Sequence, residues 1–130
     1  MNMFNSPVDH LFLREGTTYT KISLAEIYFI QADGNYAYIQ TAEKKYAVKR
    51  SLAAISEELN VTSFIRVSRG VLVNFDQVSA VSFAESMINL GSYSVKLGKA
   101  YHAEVKSRMP RLWSVVYQQK CEWKVTTYIT

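Results

Sequence analysis

The chain has 130 residues, a mass of 14.9 kDa and 48% hydrophobic composition, which suits one domain with a modest core, and no apolar run reaches the ~18 residues needed to cross a bilayer. A lone cysteine, Cys121, excludes an internal disulfide, and His10 and His102 stand apart, so neither a metal site nor a cofactor is expected. The net charge of +4 is uneven: residues 1–43 carry two cations against five anions and residues 44–130 thirteen against six, which points either to a polyanionic partner, nucleic acid being the commonest, or to a solvated basic surface.

Residues 1–10, "MNMFNSPVDH", read as a short leader without the basic and apolar segments of a secretion signal, so a cytoplasmic protein is expected. "LFLREGTTYTKISL" offers two short strand patterns around the turn "REG". "EIYFIQADGNYAYIQTAEKKYAVKR" offers three more, joined by the polar connections "ADGNY" and "TAEKK". "SLAAISEELN" reads as a helix that Ser51 caps, with Leu52, Ile55 and Leu59 on one face and Glu57 and Glu58 opposite.

"FIRVSRGVLVNFDQV" reads as one long strand except for Arg66 and Arg69 inside it. Period-2 alternation puts Ile65 and Val67 on one face and Phe64, Arg66 and Ser68 on the other. Continuing the count would bury Arg69 with Ile65 and Val67, and an unpaired buried charge costs several kcal/mol. The strand is therefore expected to break at Ser68-Arg69-Gly70, where Gly70 permits a turn or bulge, and Arg69 is expected to project from a corner.

A meander follows through "QVSAVSF", "MINL" and "YSVKL". In "KAYHAEVKSRM", Tyr101, Val105 and Met109 recur at helical spacing and Glu104 precedes Arg108 by four residues, so a short helix ending near Pro110 is expected. The tail 110–130 alternates at Trp123, Val125, Thr127 and Ile129 and is expected to add one or two strands. The result is a mainly β fold: short antiparallel strands in packed sheets or a partly open barrel, with two short helices.

Four stretches, "EIYFIQADGNYAYIQT", "YAVKRSLAAISEEL", "FIRVSRGVLVNFDQVSAV" and "VKLGKAYHAEVKSRM", together resemble the LytTR DNA-binding domain, the output module of many bacterial two-component response regulators. The resemblance runs over residues 11–109. It implies a β-rich fold that inserts loops into successive major grooves of double-stranded DNA at repeated half-sites. It further implies transcription regulation, a homodimer on DNA, and a receiver domain or sensor kinase upstream. By position the reading elements would be Gly34-Asn35-Tyr36, the corner at Ser68-Arg69, and the segment around Lys99. Ser68 stands where the family often has His, and "GKAY", Gly98 to Tyr101, where it commonly has Ser-Arg-Arg-Tyr or Ser-Arg-Ser-Tyr. Lys99 thus keeps a cation without the planar fork of arginine.

Each candidate residue has a plain structural reading beside the functional one. Arg69 either bonds guanine O6 and N7 from its corner or pairs with a carboxylate such as Asp76. Arg66 either meets a phosphate or pairs with Glu57 or Glu58. Lys96 and Lys99, before the last helix, and Lys49 and Arg50, before the Ser51 helix, suit phosphates or are solvated charge. Asn35 either reads adenine or is turn chemistry. Tyr36, Tyr38, Tyr46 and Tyr93 would stack on single-stranded bases or pack half-buried on strands, and packing is expected. Without a phosphate loop, a G-x-S-x-G or a nucleophile and base pairing, no enzyme is expected. The other readings left open are a β-rich single-stranded nucleic-acid binder and a protein-interaction module without DNA readout.

Overall fold

A computed structural model describes residues 9–59, 63–110 and 114–116. Two strands, β1 (His10–Glu15) and β2 (Thr18–Ser23), form a separate hairpin. The turn falls on Gly16 and Thr17, so Arg14 and Glu15 belong to β1 and the sequence reading placed it slightly early. Next come β3 (Ile27–Asp33), β4 (Tyr36–Thr41) and β5 (Lys45–Val48). The β3–β4 connection is the two residues Gly34 and Asn35, with Gly34 at φ +66°, the first position of a tight hairpin turn that a side chain would strain.

Helix α1 (Leu52–Leu59) is capped as expected, Ser51 Oγ accepting from the Ala54 N–H at 3.0 Å, and buries Leu52, Ile55 and Leu59. Strands β6 (Phe64–Ser68) and β7 (Val71–Asn74) follow with a turn at Arg69-Gly70 between them, so the strand does break where the misplaced arginine required it. Three short strands, β8 (Ala80–Ser82), β9 (Met87–Leu90) and β10 (Tyr93–Lys96), make the meander. The last helix opens as a 3-10 turn, Lys99–Tyr101, and continues as α2 (His102–Ser107). Arg108 Nε meets Glu104 at 3.3 Å, the expected four-residue pair.

The strands form three antiparallel sheets, which decides for packed sheets over a barrel. The central one has the order β5-β4-β3-β7-β6, flanked by the β1–β2 hairpin and by the sheet β10-β9-β8. One face of the central sheet contributes Ile27, Ile30, Ile39 and Leu72 to a core closed by α1 and the hairpin. The other contributes Phe29, Ile65, Val67 and Val73 to a second core closed by β9, β10 and α2. A bulge between Ile27 and Phe29 leaves Tyr28 unpaired, so Tyr28 and Phe29 both turn to the second core and meet the Tyr93 ring edge-on at 5.4 and 5.6 Å. Beyond Pro110 only 114–116 are described, and the expected tail strands lie outside the described residues.

Candidate nucleic-acid interface

Three loops converge at one end of the central sheet. The Ala32 N–H donates to the Gly70 carbonyl at 2.8 Å, holding the tip of β3 against the β6–β7 corner. The start of α1 closes the third side, and between them lies a cleft of about 530 Å³. It gathers Asn35, Lys49, Arg50, Arg66 and Arg69, residues distant in sequence, and no carboxylate lines it. Four cations around one concavity at a helix N-terminus give a field that attracts anions.

The four cations differ in what already holds them. Arg69 is exposed and forms no ion pair among the described residues; β7 separates it from Asp76, which lies in the 3-10 turn beyond that strand, so the expected alternative partner is out of reach. Arg66 is half-buried and pairs with neither Glu57 nor Glu58, correcting that alternative. Its Nη2 instead donates to the Arg69 carbonyl at 2.9 Å, bracing the corner, while its buried Nε has no partner. Glu58 is taken by Arg50, at 3.2 Å, in an exposed pair of the kind worth ~0–1 kcal/mol and easily exchanged for a phosphate. Lys49 is exposed with no ion pair among the described residues.

Ser68 does not share this cleft. A bulge between Arg66 and Ser68 breaks the alternation, so Ser68 pairs with Val71, whose side chain packs on the second core, rather than lying on the face of Arg66. It adjoins the last helix instead: the Gly98 N–H donates to the Val67 carbonyl at 2.8 Å. A Cβ added at Gly98 would come within 3.3 Å of the Tyr101 ring, so this close crossing favours the glycine of "GKAY". Lys99 is thereby set beside the β6–β7 corner, as the exposed start of the 3-10 turn. Lys96 is not at the helix start but ends β10, opposite Met87, with the buried Leu97 between it and Gly98.

The tyrosines divide. Tyr46 packs on the first core and Tyr93 on the second, Tyr38 is half-buried beneath Lys45, and only Tyr36, 45% exposed, borders the cleft. His102 is half-buried, its ring edge-on against Phe83 and its Nε2 3.3 Å from Ser86 Oγ. Sequence reasoning missed that Ser51 and Ala53 of the α1 start join the cleft; the cations directly before Ser51 were the signal available. Among the described residues no group of three or more His, Cys, Asp or Glu could hold a metal ion, and no helix is long and apolar enough to cross a membrane.

Fold and cleft together define a β-rich module with a cationic loop face. The profile of the LytTr DNA-binding domain matches residues 17–109, and the chain belongs to that family. Among solved structures it is similar to the LytTr DNA-binding domain of a protein described as a methyl-accepting/DNA response regulator from Bacillus cereus. That likeness has a TM-score of 0.66 at 17% identity, over 77% of this chain and 95% of the other. No curated protein matches the chain in sequence.

Proposed function

We propose that the chain is a bacterial, cytoplasmic transcription regulator whose domain, residues 11–109, binds double-stranded DNA by sequence. The observation that carries this is the cleft between the β3–β4 turn and the β6–β7 corner, with its four cations and no carboxylate. The two loops enter the major groove, where Arg69 and Asn35 reach base edges. Lys49, Arg50 and Arg66 neutralise phosphates alongside, and Ser68, Lys96 and Lys99 extend the contact along the neighbouring backbone. Two copies occupy repeated half-sites, and a receiver domain or sensor kinase supplies the signal.

Selection of bound duplexes from a random pool at ~0.15 M salt, followed by sequencing, tests this, because non-specific phosphate attraction weakens with salt while base readout persists. Enrichment of a short repeated element is the expected result. A flat pool overturns sequence-specific reading. Lys49→Ala is expected to weaken all duplexes alike and to lower the slope of log affinity against log salt by about 1, as one lost phosphate contact requires. Titration of a selected and an unrelated duplex across salt concentrations checks it.

A further inference from the structure

A second concavity, of about 570 Å³, lies between β1 and the outer edge of β5. It is lined by four consecutive residues of the hairpin, Leu11–Arg14, and by four more, Ala47–Arg50. Successive strand residues point to opposite faces, so a wall made of four in a row presents the strand's edge, not one of its faces. The other edge of β1 is taken by β2 and that of β5 by β4, which leaves both edges facing the concavity unpaired within the sheets described. Its floor is apolar, from Ile39, Ile55 and Leu59. An open strand edge above an apolar floor is a template for one more strand.

We propose that this slot is filled by the chain's own C-terminal extension, with residues 121–129 adding to β5 as a further strand of the central sheet. The occupant must be extended and apolar on alternate residues. The extension provides this: Cys121, Trp123, Val125, Thr127 and Ile129 fall on one face, with Glu122, Lys124, Thr126 and Tyr128 on the other. The lining offers both signs to those outward charges: Arg14 from the hairpin, Lys49 from beyond β5, and Glu58 of α1, which now pairs with Arg50. Reach is sufficient. From Pro110 to Cys121 an extended chain spans ~36 Å, whereas a domain of ~100 residues has a radius of gyration of only ~13 Å. In the described part of the extension Val115 and Val116 are 74% and 95% exposed and pack on neither core. The seated strand completes the first core and lies against Lys49 and Arg50, which the slot shares with the cationic cleft. This inference does not depend on the reading of DNA.

Cys121, the chain's only cysteine, faces inward on the proposed strand, so in the full-length Cys121→Ser chain a nitroxide attached at Lys124→Cys, on the outward face, reports where the extension lies. The expected result is paramagnetic loss of the amide signals of Leu11–Arg14 and Ala47–Arg50, with those of β8 and β9 retained. Signal loss elsewhere, or none, overturns the proposal. So does loss that appears only when labelled and isotope-enriched molecules are mixed, because the occupant is then a second copy. As an unlabelled check, the doubly substituted full chain Trp123→Asp, Val125→Asp should lose hydrogen-exchange protection at the outward-facing amides of β5. Unchanged protection there, with a native circular dichroism spectrum, overturns the proposal as well.

Discussion

Arg69→Ala should reduce affinity for the selected duplex by roughly 5- to 150-fold, the equivalent of the ~1–3 kcal/mol that a bidentate arginine and guanine pair discriminates, while an unrelated duplex loses only one phosphate-scale contact. The preference between the two then flattens. The effect is expected to be large because the guanidinium is exposed and forms no ion pair among the described residues, so it is free to engage a base. For the same reason stability should shift by no more than ~0.5 kcal/mol, and the loss is one of recognition alone. Arg69→Lys separates charge from geometry: it keeps the salt slope but loses the planar fork, and so should also flatten the preference. Arg66→Ala behaves differently, because it removes the 2.9 Å hydrogen bond that braces the Arg69 carbonyl and loosens the corner itself. Competition titrations of both variants against selected and unrelated duplexes decide the matter. Equal weakening of every duplex by Arg69→Ala would refute its role as a base reader.

The sequence was legible wherever one local rule governed. A misplaced arginine forced the break at Arg69-Gly70, and the spacing of Leu52, Ile55 and Leu59 announced α1. Alternation failed at the two bulges, because an extra residue in a strand shows only in the partner strand's register. Hence Ser68 was assigned to the face of Arg66, and the shared orientation of Tyr28 and Phe29 went unseen. Partner choice among charges was equally hidden. Glu58 could serve Arg50 or Arg66 as far as sequence tells, and only the folded structure, with Glu58 3.2 Å from Arg50, selects Arg50. The candidate interface was legible as residues but not as a place. Lys49 and Arg69 are far apart along the chain, and the bond between Ala32 and Gly70 that brings the loops together follows from the order β4-β3-β7-β6.

Asn74→Ala is expected to cost about 3 kcal/mol of stability, because it strands buried partners rather than merely removing a contact. Asn74 is 2% exposed at the end of β7. Its amide donates to the Leu24 carbonyl at 3.2 Å and the Ile27 carbonyl at 2.9 Å, and its Oδ1 accepts from the Asp76 N–H at 3.1 Å. One side chain thus joins the turn that ends the β1–β2 hairpin, the start of β3 and the turn after β7. Alanine leaves the Ile27 carbonyl without this donor and the Asp76 N–H without this acceptor, while the Leu24 carbonyl keeps the Ile27 N–H, and each orphaned buried group costs ~1–3 kcal/mol. Against a typical total of ~5–15 kcal/mol this is a large fraction, and it corresponds to a fall in Tm of roughly 12–24 °C for a domain of ~100 residues. Asn74→Asp should be no better at neutral pH, since it keeps the acceptor but sets a buried charge against two carbonyl oxygens. Asn89→Ala is the control. Asn89 also bonds through its side chain, to Ser94 Oγ at 2.9 Å, but is exposed, so water replaces the partner and the change should stay within ~0.5 kcal/mol. Urea denaturation with an unchanged m-value measures all three, and a loss below ~1 kcal/mol for Asn74→Ala would contradict the account. Hydrogen exchange should show where the loss is felt: the amides of β1 and β2 give way first, because Leu24 fixes the end of that hairpin to the central sheet.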